Sequence, residues 1–305
     1  LVTASFLRPR LAAGDEVLVS AMEHHANIVP WQLAGAQLRV IPIDDDGVPD
    51  LERLPQLFNS RTRLLAITQA SNVLGTVNDI AQIVRIAHAH GVPVLVDGAQ
   101  AAAHLPVDVQ VLGCDFYAFS GHKVYGPSGI GVLWGKSEWL EQMPPYQGGG
   151  DMIHTVSFER STYAAPPARF EAGTPHITGA IGLAAALDFI DALGWKAIAA
   201  HERELLALAQ DALAEIPGLR IYGRAPGKIG VIAFNLAAVH AHDLGTIADA
   251  AAVAIRAGHH CAMPLMQRFG VSAMARASLG VYNDAQDVAA LVSAVRKAQA
   301  MFSRH

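Results

Sequence analysis

The chain has 305 residues, enough for two domains or one large α/β domain. It is 52% hydrophobic and 16% charged with a formal net charge of −5, which excludes a disordered chain and argues against nucleic acid or an anionic membrane as partner. Its two cysteines cannot form a disulfide framework, no run reaches the ~20 apolar residues of a bilayer span, and no secretory signal opens the chain, so a reducing cytoplasm is the expected location.

Short apolar runs predict strands over 16–20, 38–43, 64–69, 92–97, 115–120 and 130–134. Between them, 80–90 has the clearest helical pattern, with Ile80, Ile83, Val84 and Ala87 on one face and Gly91 as its stop. Runs such as Pro93-Val94-Leu95-Val96 carry no polar alternation and fit strands covered on both faces. Strand, helix, strand in succession predicts a mostly parallel sheet. The Gly- and Pro-rich stretch 144–175 reads as a long loop. Beyond it the pattern predicts helices over 178–193, 196–215, 241–251 and 284–302, and strands over 220–222, 230–236, 254–256 and 275–279. The expected organisation is a large domain over 1–180 and a smaller α+β domain over 181–305.

Two of the predicted strands end in chemically useful residues. Asp97 closes one, in Val96-Asp97-Gly98-Ala99-Gln100, and Lys123 follows the other, in Ser120-Gly121-His122-Lys123-Val124-Tyr125-Gly126-Pro127. Taken alone, Asp97 could equally cap the next helix, and Lys123 could be a solvated loop lysine. Together they place an acid and an amine on one rim of the sheet, where ligands of open α/β sheets bind. Pyridoxal phosphate (PLP) needs such a pair, a lysine for its aldehyde and a carboxylate for its pyridine nitrogen.

With those segments the chain resembles the class V, fold-type I PLP enzymes, and within them the group II (SufS-type) cysteine desulfurases and selenocysteine lyases. The resemblance also rests on Met22-Glu23-His24-His25-Ala26-Asn27, Ser71-Asn72-Val73-Leu74-Gly75, Arg169 to Pro175, Arg256-Ala257-Gly258-His259-His260-Cys261-Ala262-Met263-Pro264 and Arg276-Ala277-Ser278-Leu279, in the expected order. It implies a PLP-binding large domain and a smaller domain carrying the linking helix and the cysteine loop. It implies that Lys123 holds the cofactor and moves the α-proton, that Asp97 faces the pyridine nitrogen, and that Gln100 bonds the ring oxygen. His24 would stack on the ring, and Ser120 and His122 would contact the phosphate. Thr174 would reach the phosphate of a neighbouring subunit in a homodimer. Asn72 would lie near substrate and ring oxygen, and Arg276 would take the substrate carboxylate. Cys261 would accept sulfur from L-cysteine, leaving L-alanine and an enzyme persulfide for a sulfur-acceptor protein of iron–sulfur cluster assembly.

L-Selenocysteine is the alternative substrate on the same scaffold, and other class V reactions, such as transamination, would need no thiol. Cys114, just before a strand, reads as a buried small hydrophobe. A metal site is not expected from His24-His25 or His259-His260-Cys261, because adjacent residues point opposite ways. Lys136 and Lys228 read as surface charges, Trp31 as packing, and Asp44-Asp45-Asp46-Gly47 as a solvated turn. The chain departs from the family pattern before Leu1, where an N-terminal segment with a phosphate-cradling turn would stand. Weak or no activity is therefore expected of these 305 residues alone, with an inactive fragment as the alternative. Gln69 stands where relatives commonly carry His.

Overall fold

The computed structural model describes residues 1–302. Six strands, β1 (Glu16–Ser20), β2 (Gln37–Ile41), β3 (Thr62–Thr68), β4 (Val94–Asp97), β5 (Phe116–Ser120) and β6 (Gly131–Gly135), form one sheet in the order β2-β1-β3-β4-β5-β6. The first five run parallel, and β6 is an antiparallel edge against β5. Their near-continuous apolar sequence follows from cover on both faces. Leu18, Leu65, Ile67, Val94 and Val96 point one way, onto Ile80, Ile83 and Val84 of the helix Ile80–Ala89. Val17, Val19, Leu64, Ala66 and Leu95 point the other way, onto Phe6, Leu7 and Trp31.

The 144–175 stretch, expected to be loop, contains an exposed two-stranded hairpin of β7 (Ile153–Val156) and β8 (Ser161–Tyr163). Thr155, Thr162 and Ser161 supply the β-branched and polar mix of an edge ribbon, which the surrounding glycines and prolines obscure in the sequence. The long helices Ile177–Leu193 and Trp195–Ala214 follow, meeting at 77°. Among the described residues no single helix is long and apolar enough to cross a membrane.

An antiparallel sheet completes the chain: β9 (Leu219–Tyr222), β10 (Val231–Leu236), β11 (Arg256–Gly258) and β12 (Met274–Ser278), in the order β11-β12-β10-β9. Ile232, Phe234, Ala275 and Ala277 pack under Leu206 and Leu213, Leu244, and Leu291 and Val295 of three covering helices. The expected strand 254–256 begins only at Arg256, and a short helix, Met263–Phe269, follows the Cys261 turn where none was expected. Its proline stands in the first turn, the position where a missing N–H costs no bond.

The two sheets meet along an apolar seam of Met22, Val73 and Leu74 against Tyr222, Ala233, Leu265 and Met266. Gly75 sits in this seam with φ +75°, and a Cβ there would come within 2.9 Å of the Val231 carbonyl oxygen. Lys228 is not a free surface charge. Its amine donates to the Gly223 carbonyl, and burial lowers its pKa to about 8.

Lys136 is likewise engaged, in a hub built on the buried Asp115. That carboxylate accepts from His88 Nε2 (2.7 Å), the Val94 amide (2.7 Å), Lys136 Nζ (2.8 Å) and Trp139 Nε1 (3.0 Å). Burial by itself would raise its pKa, but the donors together hold it below the ordinary value. The stability it contributes is present above the unfolded carboxyl pKa and is lost as pH falls through the depressed folded value. Asp115→Ala strands these donors and should cost about 3 kcal/mol or more, read as a lower urea midpoint at unchanged slope.

Candidate active site

Because β1, β3, β4 and β5 are parallel, the turns leaving their C-terminal ends share one rim. The chain leaves β1 toward β2 on one side and leaves β3 toward β4 on the other, which opens a crevice between them. A cavity of about 630 Å³ lies there, within the ~300–1,000 Å³ typical of small-molecule sites. His24, Asn72, Asp97, Gln100, Ser120, His122, Lys123 and Cys261 all line it.

Asp97 ends β4, paired with Thr68 and Ala118. One oxygen accepts the Ala99 amide at 2.8 Å, so the capping and cavity-lining roles are filled by the same side chain. Lys123 sits on the helical turn Gly121–Lys123 directly after β5. Gly121 lets that turn close, since a Cβ would meet Ile130 at 2.8 Å and the Pro127 carbonyl at 3.2 Å. Burial lowers the Lys123 pKa, Asp97 opposes the shift, and the guanidinium groups of Arg276 and Arg256 add to it.

His24 has extended backbone, and its Nδ1 accepts the Ala26 amide at 3.0 Å. Its pKa is lowered, first by burial and then by Lys123, which favours the neutral ring. The turn beneath it is held by Glu23, which sequence reading did not single out. Glu23 is buried and accepts from Ser20 Oγ, Asn27 Nδ2 (2.7 Å) and the Thr68 amide (3.1 Å). Burial raises its pKa to about 7 against those hydrogen bonds. Its sequence signal is an acid three residues past an apolar strand, inside the Met22–Asn27 segment.

Cys261 comes from the antiparallel half, in a turn just after β11. His260 (φ +53°) and Cys261 (φ +56°) are both left-handed, at a cost of about 1–2 kcal/mol each for residues with a Cβ. Three hydrogen bonds from the parallel half hold this turn. The His25 amide donates to the Cys261 carbonyl (2.7 Å), Asn72 Nδ2 donates to the His260 carbonyl (2.8 Å), and the Met263 amide donates to His25 Nε2 (3.0 Å). His260 turns inward and donates Nε2–H to the Met274 carbonyl at 2.8 Å, and burial lowers its pKa to about 4.

Two expected site residues lie off the cavity wall. Thr174 is exposed, in the loop before the helix Ile177–Leu193. Arg276 lies behind Asn72, whose carbonyl accepts its Nη1 at 2.6 Å, while its buried Nε has no partner among the described residues. Its register partner across the sheet, Arg256, is the guanidinium that lines the cavity. Arg256, Thr68 and Trp31 were not anticipated as lining residues. Gln69 accepts the Tyr117 hydroxyl at 2.7 Å beneath the rim. Cys114 is fully buried, and burial raises its pKa to about 11.

The aminotransferase class-V family model matches residues 1–291. The chain belongs to the class-V aminotransferase family. A cysteine desulfurase of Dickeya dadantii is 58% identical over 97% of this chain and 73% of its own length, and one of Escherichia coli O127:H6 is 54% identical over 97% and 74%. Among solved structures, the cysteine desulfurase CsdA of Escherichia coli superposes with a TM-score of 0.95 at 46% identity, over 99% of this chain and 76% of its own. A cysteine desulfurase of Thermococcus onnurineus gives 0.94 at 35% identity, over 98% and 76%. The fold is therefore the fold-type I arrangement expected from the sequence.

Membership in the family implies PLP, and the residues present fit it. The cavity brings together a desolvated amine, a carboxylate from the neighbouring strand, an imidazole favoured in its neutral form, and hydroxyl and imidazole donors on the Ser120–Lys123 turn. With PLP added, the chain should develop a visible absorbance band that Lys123→Ala abolishes. The uncharged amine is the reactive form. The band should therefore form faster as pH rises, with a midpoint below the ordinary lysine value of about 10.4.

Proposed function

We propose that this protein is a cysteine desulfurase that takes sulfur from L-cysteine onto Cys261, leaving L-alanine. The observation that carries the reading is a half-buried thiol on the wall of the same cavity as Lys123 and Asp97, although it comes from the other sheet. In this reading residues 1–180 form the cofactor-binding unit and 181–305 the unit that brings the cysteine.

PLP, when bound, supplies an electron-withdrawing ring that acidifies the substrate α-carbon. Lys123 would hold it, and the same amine, kept low in pKa by burial, would move the α-proton. Asp97 would keep the pyridine nitrogen protonated, Gln100 would bond the ring oxygen, and neutral His24 would lie against the ring. Ser120 and His122 would take the phosphate. The substrate carboxylate would go to Arg276, reached past Asn72 from the wall that its register partner Arg256 lines; the buried Nε of Arg276 lacks an acceptor among the described residues. The Cys261 thiolate would then attack the substrate sulfur; the carbon–sulfur bond breaks with its electron pair left on carbon, that carbon takes a proton to become the methyl group of alanine, and the sulfur stays on Cys261 as a persulfide. The half-buried position suits delivery to a sulfur-acceptor protein of iron–sulfur cluster assembly.

A second copy belongs to this reading. Thr174 is exposed beside the helix Ile177–Leu193, which carries the exposed Ile177, Ile181 and Phe189, and near it in sequence the hairpin exposes Val156 and Phe158. A partner covering that face would bring Thr174 to its neighbour's cavity.

After incubation with L-cysteine and PLP, mass spectrometry should find one added sulfur atom on Cys261 and none on Cys114. Cys261→Ala should lower sulfide release at least about 100-fold. Undiminished release in that variant would remove the thiol from the reaction. Arg276→Lys should raise KM for cysteine about tenfold, since an ammonium cannot present a planar fork of donors.

A further inference from the structure

Resting on the reading of Cys261 as the sulfur acceptor, we propose that His25 is a positioning residue: its backbone amide holds the Cys261 carbonyl, its neutral ring holds the Met263 amide two residues on, and that grip keeps the thiol at the cavity. The stacking role expected next door belongs to His24. His25 does something different with both of its polar faces.

The His25 amide donates to the Cys261 carbonyl at 2.7 Å, while its Nε2 accepts the Met263 amide at 3.0 Å. Its ring lies on that of His259, centroids 5.6 Å apart and planes 29° from parallel. His259 Nδ1 in turn accepts the Cys261 amide at 3.0 Å. Two stacked imidazoles therefore each use a lone pair on an amide, one at Cys261 and one two residues on. An imidazolium has no lone pair to offer, because both nitrogens then donate. Two stacked cations would also repel. The backbone bond to Cys261 survives protonation, but the ring's bond to the Met263 amide exists only while His25 is neutral.

The need for a grip follows from the backbone. His260 and Cys261 are consecutive left-handed residues without glycine, a conformation that persists only when its surroundings over-determine it. Asn72 holds the His260 carbonyl, but nothing else from the parallel half reaches the Met263 amide among the described residues.

The groups facing His25 are His24 on its own turn and His259 on the cysteine turn; Lys123, Asp97 and Arg256 act on His24. Burial and then His259 lower the His25 pKa, which keeps the clasp closed at neutral pH. The clasp is intact above that lowered value and opens as pH falls through it.

The test is alkylation of Cys261 by iodoacetamide in the full chain without cysteine, followed by mass spectrometry, with the buried Cys114 as unreactive internal control. His25→Phe keeps a ring on His259 but removes the acceptor. At pH 8 it should react about tenfold faster than the unaltered chain, a factor equal to one lost hydrogen bond of ordinary strength. The ratio of the two rates should shrink toward one as pH falls below the ordinary histidine value of about 6.5, because acid opens the unaltered clasp as well. His25→Gln, which restores an acceptor, should return the rate most of the way. Deuterium exchange at the Met263 amide of the unaltered chain, corrected for intrinsic rates, should lose protection over the same pH range. That measurement does not depend on any variant folding. Equal alkylation rates in His25→Phe, a ratio that ignores pH, or unchanged Met263 protection would each overturn the proposal. None of these readings uses cysteine turnover, so they stand apart from the persulfide measurement that tests the sulfur reaction.

Discussion

Strand direction is the constraint on which the site depends. Parallel pairing of β1, β3, β4 and β5 forces every one of their C-terminal turns to the same edge. Asp97, Lys123, Asn72 and His24 are widely separated in sequence, yet each stands at or just beyond such an end. An antiparallel β4 or β5 would send Asp97 or Lys123 to the opposite edge. The only antiparallel member of the sheet is β6, which lies outside this set and carries no polar site residue.

Burial then decides the chemistry of the groups so gathered. Removing water disfavours charge, so the Lys123 amine and the His24 ring move toward their neutral forms and the Glu23 carboxyl moves up toward neutrality. Those are the forms that the proposed nucleophilic amine and stacking ring would need. Glu23 itself is buried and does not line the cavity. It ties the ends of β1 and β3 to the His24 turn through three donors, and so links rim geometry to sheet pairing.

The thiol reaches the site by a different route. It arrives across the seam between two sheets with separate cores, and its turn is strained. The seam at Leu74, Gly75 and Leu265 sets the approach, and the bonds from His25 and Asn72 fix the last few residues. A site shared in this way makes the position of Cys261 sensitive to the packing of the two halves on one another. A single rigid sheet would not have that property.

Sequence alone determined the elements and the residue types. Unbroken apolar runs marked β3 and β4 because strands covered on both faces show no alternation, and the Ile80–Ala89 periodicity marked a helix because one face of it is buried. Asp97 and Lys123 were legible because each stands where an apolar run gives way to a polar turn, and Cys261 because its Arg256–Pro264 segment resembles the family's cysteine loop. Tertiary structure decided the rest. That Asn72 grips the Cys261 turn, that Arg256 and not Arg276 lines the cavity, and that Lys136 belongs to the Asp115 hub all depend on contacts between residues distant in the chain. The hairpin inside 144–175 was hidden by the glycines and prolines around it, and the helix Met263–Phe269 by its short length of seven residues. Local pattern reports which face of an element is buried. It carries no information about what lies opposite that face, and in this protein the opposing half supplies the thiol.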